Sequence, residues 1–295
     1  MFGNPAWRKR PVATAARFLT WLARKNIGAG RYAVLPYDGG RSRIRIDLQS
    51  RFGFMTYTYG VEDPDLALVG SLLAPGDIFM DGGAHVGLFT LVAAARVGPT
   101  GRVLAFEPAP AARSQLLQNL ELSRFSCVEV SARALADCAG VRNFVAFSND
   151  AWGSSSFAPP PVFAGGHVEL VETTTLDAAL ANQDRTRVRL VKLDLEGAEY
   201  AALQGARCLL REVQPDFLVE LEPEHLARQG ASVTDVAGLF EMHGYRSFTV
   251  EGNGQEGVRL TPEPNPGQGG ARPNLFVSRN WERLARASIA LKESQ

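Results

Sequence analysis

Cysteine is scarce. The chain has three in 295 residues (Cys127, Cys138 and Cys208), too few and too unevenly spaced for a disulfide framework or a zinc knuckle. They read as reduced packing residues of a cytoplasmic protein. Charge of one sign is missing too, because 31 Lys and Arg balance 31 Asp and Glu. A chain-wide electrostatic grip on nucleic acid or anionic lipid is therefore not indicated. No apolar run reaches the roughly 20 residues needed to span a bilayer, and no internal repeat is visible. What is present is an ordinary globular composition, with 29 glycines and 17 prolines to supply turns. The length suits one large α/β domain with additions, or at most two small domains.

The amino terminus pairs basic residues with an apolar run: Arg8-Lys9-Arg10, then Val12 to Ala23, then Arg24-Lys25. Arg17 interrupts the run and no cleavage site follows, which argues against a signal peptide. Phe18, Trp21 and Leu22 share one helical face. The segment reads first as a helix packed on the domain or at a subunit contact, including that of a homo-oligomer. A membrane-surface helix is the second reading and a targeting segment the third.

Ile44 to Leu48 and Phe52 to Tyr59 alternate with the strand period, so residues 1–62 are expected to form a helix and a small β extension. The main domain is assigned to residues 63–280. Its strands are expected at Ile78–Asp81, Arg102–Glu107, Cys127–Ala132, Val188–Asp194 and Asp216–Leu221, separated by helical patterns. That rhythm implies parallel pairing with right-handed crossovers. Val141–Phe147 and His167–Thr173 are expected as added strands around an insertion, residues 148–166, which could cap the site as a lid through Trp152 to Phe157 and the prolines at 159 to 161. Tyr245–Val250 and Leu275–Ser278 should close the sheet as an antiparallel pair. Residues 251–273, rich in Gly and Pro, are expected as a mobile loop, and residues 281–295 as a carboxy-terminal helix.

The most informative run is Asp77 to Gly87, a buried strand that breaks into a glycine-rich turn and then a helix. A dinucleotide would lay its pyrophosphate over that turn, where a carboxylate at Asp81 would repel it. S-adenosylmethionine (SAM) has no phosphate and carries a sulfonium and an ammonium, so an acid there helps. A methyl-donor site is the first reading and a nicotinamide site the second. Gly83 lets the backbone approach the ligand, and Gly87 lets the helix start pack close. Glu107, at the end of the second strand, can accept both hydroxyls of an adenosine ribose. Asp137 could reach an adenine amine, with Leu135 or Ala136 covering the ring. Alternation puts Lys192, Asp194 and Glu196 on one face if their strand runs far enough. Glu196 and Glu199 also have a purely structural explanation, because acids are favoured at a helix amino terminus.

Taken in order, DGGAHVG (81–87), AFEP (105–108), ALAD (134–137), TTLD (174–177), VKLDLEGAE (191–199) and LVELE (218–222) resemble the FkbM-type methyltransferase family. The resemblance implies a class I SAM-dependent fold: a seven-stranded, mostly parallel sheet with an antiparallel last strand and helices on both faces. Asp81, Gly83, Ala84, His85 and Gly87 then resemble the SAM loop, Glu107 the ribose acid, and Asp137 the adenine-side acid. Asp194, Glu196 and Glu199 match the family's D-x-E-G-x-E signature. Gly82 stands where a β-branched residue is usual, and His85 where Asn is common. The implied reaction is O-methylation of a hydroxyl on a sugar, glycolipid or natural product. Asp194 and Glu196 are the first candidates for the base and His225 the third. Asp194 could equally touch the donor's ammonium. These acids also admit Mg²⁺, although neither ligand count nor geometry is legible and no metal is assigned. A nicotinamide-dependent oxidoreductase and a non-catalytic SAM-binding protein are the alternatives.

Overall fold

The computed structural model describes residues 10–27, 30–61, 63–147, 155–158, 166–253, 257–263, 266, 274–280 and 284. Strand β3 (Ile78–Gly82) is buried at all five positions, which its continuous apolar run requires of a central parallel strand. It pairs in parallel with β4 (Arg102–Phe106) on one side and β9 (Val188–Leu193) on the other. Beyond β4 lies β5 (Val128–Ser131), and beyond β9 lies β10 (Asp216–Glu220), both parallel. Strand β13 (Asn274–Ser278) enters antiparallel between β10 and β11 (Arg246–Asn253). The expected seven strands and antiparallel last strand are therefore present. An eighth, β12 (Gly257–Pro262), pairs antiparallel with β11 at the sheet edge. It occupies part of the stretch expected to be a mobile loop, because β11 runs on to Asn253, which pairs with Gly257 of β12.

The two sheet faces follow from the alternation of side chains along the strands. Phe79, Val103, Ala105, Leu190, Leu218 and Phe276 pack into one apolar layer, under α3 (Pro64–Leu72) and α4 (Leu88–Val97). Ile78, Met80, Leu104, Val191, Leu193, Phe217 and Val219 pack into the other, under α7 (Glu199–Gln204) and α9 (Val233–Met242). From β3 the chain proceeds outward through β4 to β5 and later returns to β9, on the opposite side of β3. The crevice at the carboxyl ends of β3 and β9 is the point of reversal where open α/β sheets bind ligands. A small sheet of β6 (Ala134–Leu135), β8 (His167–Thr174) and β7 (Gly140–Ala146) stands beside that crevice.

One element of the amino-terminal extension differs from its expected form. β2 (Ser42–Asp47) is a strand, paired with β1 (Tyr32–Tyr37). Phe52 to Tyr59, expected as a strand, lie in helix α2 (Arg51–Tyr59). Their aromatic alternation satisfies the strand period, but local capping overrides it. The Ser50 hydroxyl accepts from the Gly53 amide at 2.9 Å, and a Cβ on Gly53 would lie 1.8 Å from the Asp47 carbonyl oxygen. Phe54 of α2 meets Phe18 and Trp21 of α1 (Pro11–Ile27), and the Trp21 indole donates to the Leu48 carbonyl at 2.8 Å. The amino-terminal segment is thus a helix packed on the domain. Trp152, the prolines at 159 to 161 and the expected helix over 281–295 (Leu284 excepted) lie outside the described residues.

Candidate active site

A cavity at the carboxyl ends of β3, β4, β9 and β10 is lined by Gly83, His85, Glu107, Leu135, Asp194, Glu196 and Glu220, with Phe144 and Phe157 from the small sheet and the insertion. Its floor is the glycine turn. The amides of Gly83 and Ala84 both donate to the Phe106 carbonyl at 3.0 Å, and the His85 amide donates to Glu107 Oε2 at 2.7 Å. Glu107 Oε1 accepts from the Ala109 amide at 2.9 Å. Each carboxylate oxygen keeps a free lone pair, so Glu107 can still accept two ribose hydroxyls. Burial pushes its carboxyl up to about 7, opposed by those backbone amides. His85 adopts a left-handed φ of 52°, and burial holds its imidazole down to about 4, so the ring is neutral at physiological pH. Gly87 caps α4 at φ 96°, where a Cβ would strike Leu116.

Asp81 lies elsewhere than the sequence suggested. It is fully buried on the α4 side of β3, behind the cavity wall. Its Oδ2 accepts from the Thr90 hydroxyl at 2.5 Å, and its Oδ1 lies 3.5 Å from Lys192 Nζ. Asp81 and Lys192 are direct register partners in the β3–β9 ladder, so their side chains emerge together on one face. The Lys192 ammonium also donates to the Gly83 carbonyl at 3.0 Å and lies 3.2 Å from Asp194 Oδ2. Burial pulls this ammonium's pKa down, but Asp194 and Asp81 outweigh that and carry it up to about 12. Lys192 is the residue that sequence reasoning named without assigning a role. A lysine near the buried carboxyl end of β9, two residues before Asp194, is the signal.

The turn after β9 separates the two glutamates of the signature. Glu199 is buried outside the cavity lining, and its Oε1 accepts from the amides of Leu195 at 2.6 Å and Gly197 at 3.3 Å. Its role is to staple the turn. Glu196 sits at φ 55° ahead of Gly197, where a Cβ would lie 2.3 Å from the His225 carbonyl oxygen. That conformation faces the Glu196 carboxylate to His225 of α8 (Pro223–Arg228), with Oε2 3.0 Å from Nδ1. Burial, with Asp194 and Glu199 nearby, pushes Glu196 up to about 8. Burial and the Arg228 guanidinium hold His225 below its ordinary value. Glu220, 4.0 Å from His225 Nδ1, is raised by burial and by Asp194, Glu196 and Glu199. It belongs to the cavity through its place at the end of β10. His225 does not line the cavity itself.

The adenine-side residues are likewise displaced from the lining. Ala136 is buried, its amide donating to Thr174. The Asp137 carboxylate is turned outward onto Arg142, whose guanidinium holds it below the usual carboxylate range. The cavity wall there is Ala134 and Leu135 instead.

The family model of the methyltransferase FkbM domain matches residues 81–247, more than half of the chain. The chain belongs to the FkbM methyltransferase family. The FkbM match begins at Asp81 and runs from the end of β3 into β11. The methyltransferase sdnD of Sordaria araneosa is 30% identical over 161 residues, which cover 45% of this chain and 61% of the relative. The chain thus spans less than two thirds of that relative's length. A crystal structure of an FkbM methyltransferase from Methylobacillus flagellatus KT superposes at a TM-score of 0.43 and 15% identity, covering 92% of this chain and 60% of that one. A SAM-dependent O-methyltransferase from Thermotoga maritima superposes at 0.39 and 13% identity, covering 86% and 80%.

Glu196, Glu220 and His225 each offer one atom within 4.8 Å of the others, so among the described residues this is the group able to hold a cation. A nitrogen beside two carboxylates suits a borderline metal better than Mg²⁺, which prefers an all-oxygen shell.

Proposed function

We propose that this protein is a SAM-dependent methyltransferase acting on a hydroxyl of a sugar, glycolipid or other natural product. One observation carries the reading: four carboxylates (Glu107, Asp194, Glu196 and Glu220) line the cavity, and no Lys or Arg does among the described residues. Such a lining favours a sulfonium and an ammonium and disfavours a pyrophosphate. SAM, when bound, supplies an electrophilic methyl carbon on a positively charged sulfur. Glu107 would hold the ribose, and Gly83 and Leu135 would let the adenosine approach closely. Asp194, held 3.2 Å from Lys192 Nζ, would accept from the donor's ammonium. Glu196 would take the proton of the acceptor hydroxyl as that oxygen accepts the methyl group the donor supplies. His225 behind Glu196 orients that carboxylate. Orienting the two reactants would be the protein's main contribution to the rate.

Calorimetry with SAM, S-adenosylhomocysteine and NADH tests the cofactor. Heat is expected from the first two. Heat from NADH alone would transfer the chain to the oxidoreductases, and SAM binding without turnover on any hydroxylated acceptor would leave a non-catalytic binder.

The base makes a pH prediction. Glu196 accepts a proton only once ionised, and its folded-state value of about 8 means that ionisation is incomplete at neutrality. The rate should therefore rise with pH from roughly 6.5 to 9, with an apparent midpoint at or below about 8, since a bound sulfonium favours the carboxylate. Glu196→Gln should lose about 10²- to 10⁴-fold in kcat and flatten that limb. A variant that keeps the limb assigns the base elsewhere. EDTA treatment is expected to leave turnover intact, because Glu196 serves as the base without a bound cation. A loss restored by added Mn²⁺ or Mg²⁺ would convert the Glu196–Glu220–His225 group into a metal centre.

A further inference from the structure

Zero net charge conceals a strong separation. Residues 1–61 contain 11 Lys and Arg against two acids, Asp38 and Asp47, leaving 20 basic and 29 acidic residues in the rest of the chain. Both acids are already neutralised: Asp38 pairs with Arg96 and Asp47 with Arg31, each at 2.6 Å. The first 37 residues contain no acid at all.

Helix α1 within this basic extension has two opposed apolar stripes. Thr14, Phe18 and Trp21 face the domain, against α2. Val12, Ala16, Leu19 and Ala23, spaced i, i+4, i+7 and i+11, lie on the opposite side. Val12 is 82% exposed and Leu19 61%, with Leu22 exposed at the stripe's edge. Of the eleven large hydrophobic residues exposed among those described, six lie in this extension: Val12, Leu19, Leu22, Tyr32, Val34 and Met55. Arg10, Arg17 and Arg24 run along one flank of the helix.

We infer that α1 docks the protein on an anionic lipid surface, its outer stripe entering the headgroup boundary and its arginines meeting the phosphates. An exposed apolar stripe flanked by basic residues, on a helix without acids, is the composition of an interfacial helix. Nucleic acid would use the arginines but gives the apolar stripe nothing to bury. A second copy apposed through the same face would bring two clusters of arginine together. Packing of Trp21 and Phe18 on α2 fixes which stripe points outward, so the enzyme would sit on the surface in one orientation. No described helix is long and apolar enough to cross a membrane, which agrees with a surface attachment. The inference is independent of the methyl-transfer reading.

Flotation of the full chain with phosphatidylcholine vesicles, with or without about one-third phosphatidylglycerol, tests it. The anionic vesicles should carry the protein and the neutral ones much less. Each arginine replaced by glutamine (Arg17→Gln, Arg24→Gln) should weaken binding about fivefold. Raising salt to about 1 M, where screening acts within about 3 Å, should release most of the protein. Leu19→Glu, at an exposed position that leaves the fold's melting temperature unchanged, should abolish flotation. The inference is overturned if anionic vesicles fail to bind the protein at low salt, or if Leu19→Glu floats like the parent. It is equally overturned if the chain ignores vesicles but retards RNA with no effect of Leu19→Glu, or forms a dimer that Leu19→Glu dissociates.

Discussion

A Gly83→Ala variant is expected to lose SAM binding and to melt about 5 to 15 °C below the parent. Gly83 sits at φ 73°, and a Cβ there would lie 1.9 Å from the Asp194 carbonyl oxygen. The left-handed conformation alone costs an L residue about 1–2 kcal/mol. The overlap is with backbone rather than with a side chain that can swing away, so the β3 and β9 strand ends must separate, adding about 1–3 kcal/mol. For a domain of this size each kcal/mol moves Tm by roughly 2–4 °C. The separation also moves the two chain segments that form the cavity floor, so binding falls together with stability. Gly230→Ala is the control, because Gly230 has a similar φ of 77° but nothing within 4 Å of the point its Cβ would occupy. Equal melting of the two variants would show that close approach at Gly83 is irrelevant.

Lys192→Met should be the most damaging single change of charge. The substitution keeps length and apolar contact but removes the ammonium beside Asp81, which is fully buried. Breaking a buried pair by deleting one partner costs about 3–5 kcal/mol, since the other charge is left desolvated. Burial already raises the Asp81 carboxyl above its ordinary value, and loss of Lys192 raises it further. A folded-state pKa above the unfolded one means that the folded variant holds the extra proton. Its stability is then retained below the unfolded value of about 3.9 and lost as pH rises through the folded one. Denaturant titrations should accordingly find Lys192→Met closer to the parent at about pH 5 than at about pH 8. Adding Asp81→Asn should recover much of the loss at the higher pH. Failure of that rescue would show that Asp81 does not carry the cost. In the folded fraction, Asp194 loses its nearest cation, so SAM affinity should change even where the fold survives.

The lysine also explains where the electrostatic reading of the sequence was incomplete. An acid ending an apolar strand before a glycine turn indicates a cationic ligand, and the cavity is indeed acidic. Its acids, however, are Glu107, Asp194, Glu196 and Glu220, whereas Asp81 is spent on Lys192 and Thr90. Asp194 and Lys192 do meet, as alternation implied, but β9 stops at Leu193 and Glu196 is turned by its own left-handed backbone. The α2 segment failed differently. Alternating aromatics satisfy the strand period, yet the Ser50 cap and the contact of Gly53 with Asp47 impose a helix.

Sequence alone determined the strand–helix rhythm, the glycine turn at the reversal of the sheet, and the family signature, because periodicity and turn chemistry are properties of neighbouring residues. Tertiary structure alone decided which acids face the ligand. That depends on the register between strands far apart in the chain: it sets Asp81 opposite Lys192, faces Glu196 to His225, and brings Glu220 into the same cavity. A carboxylate's partner is a matter of a few ångströms, and only the packed sheet specifies such distances.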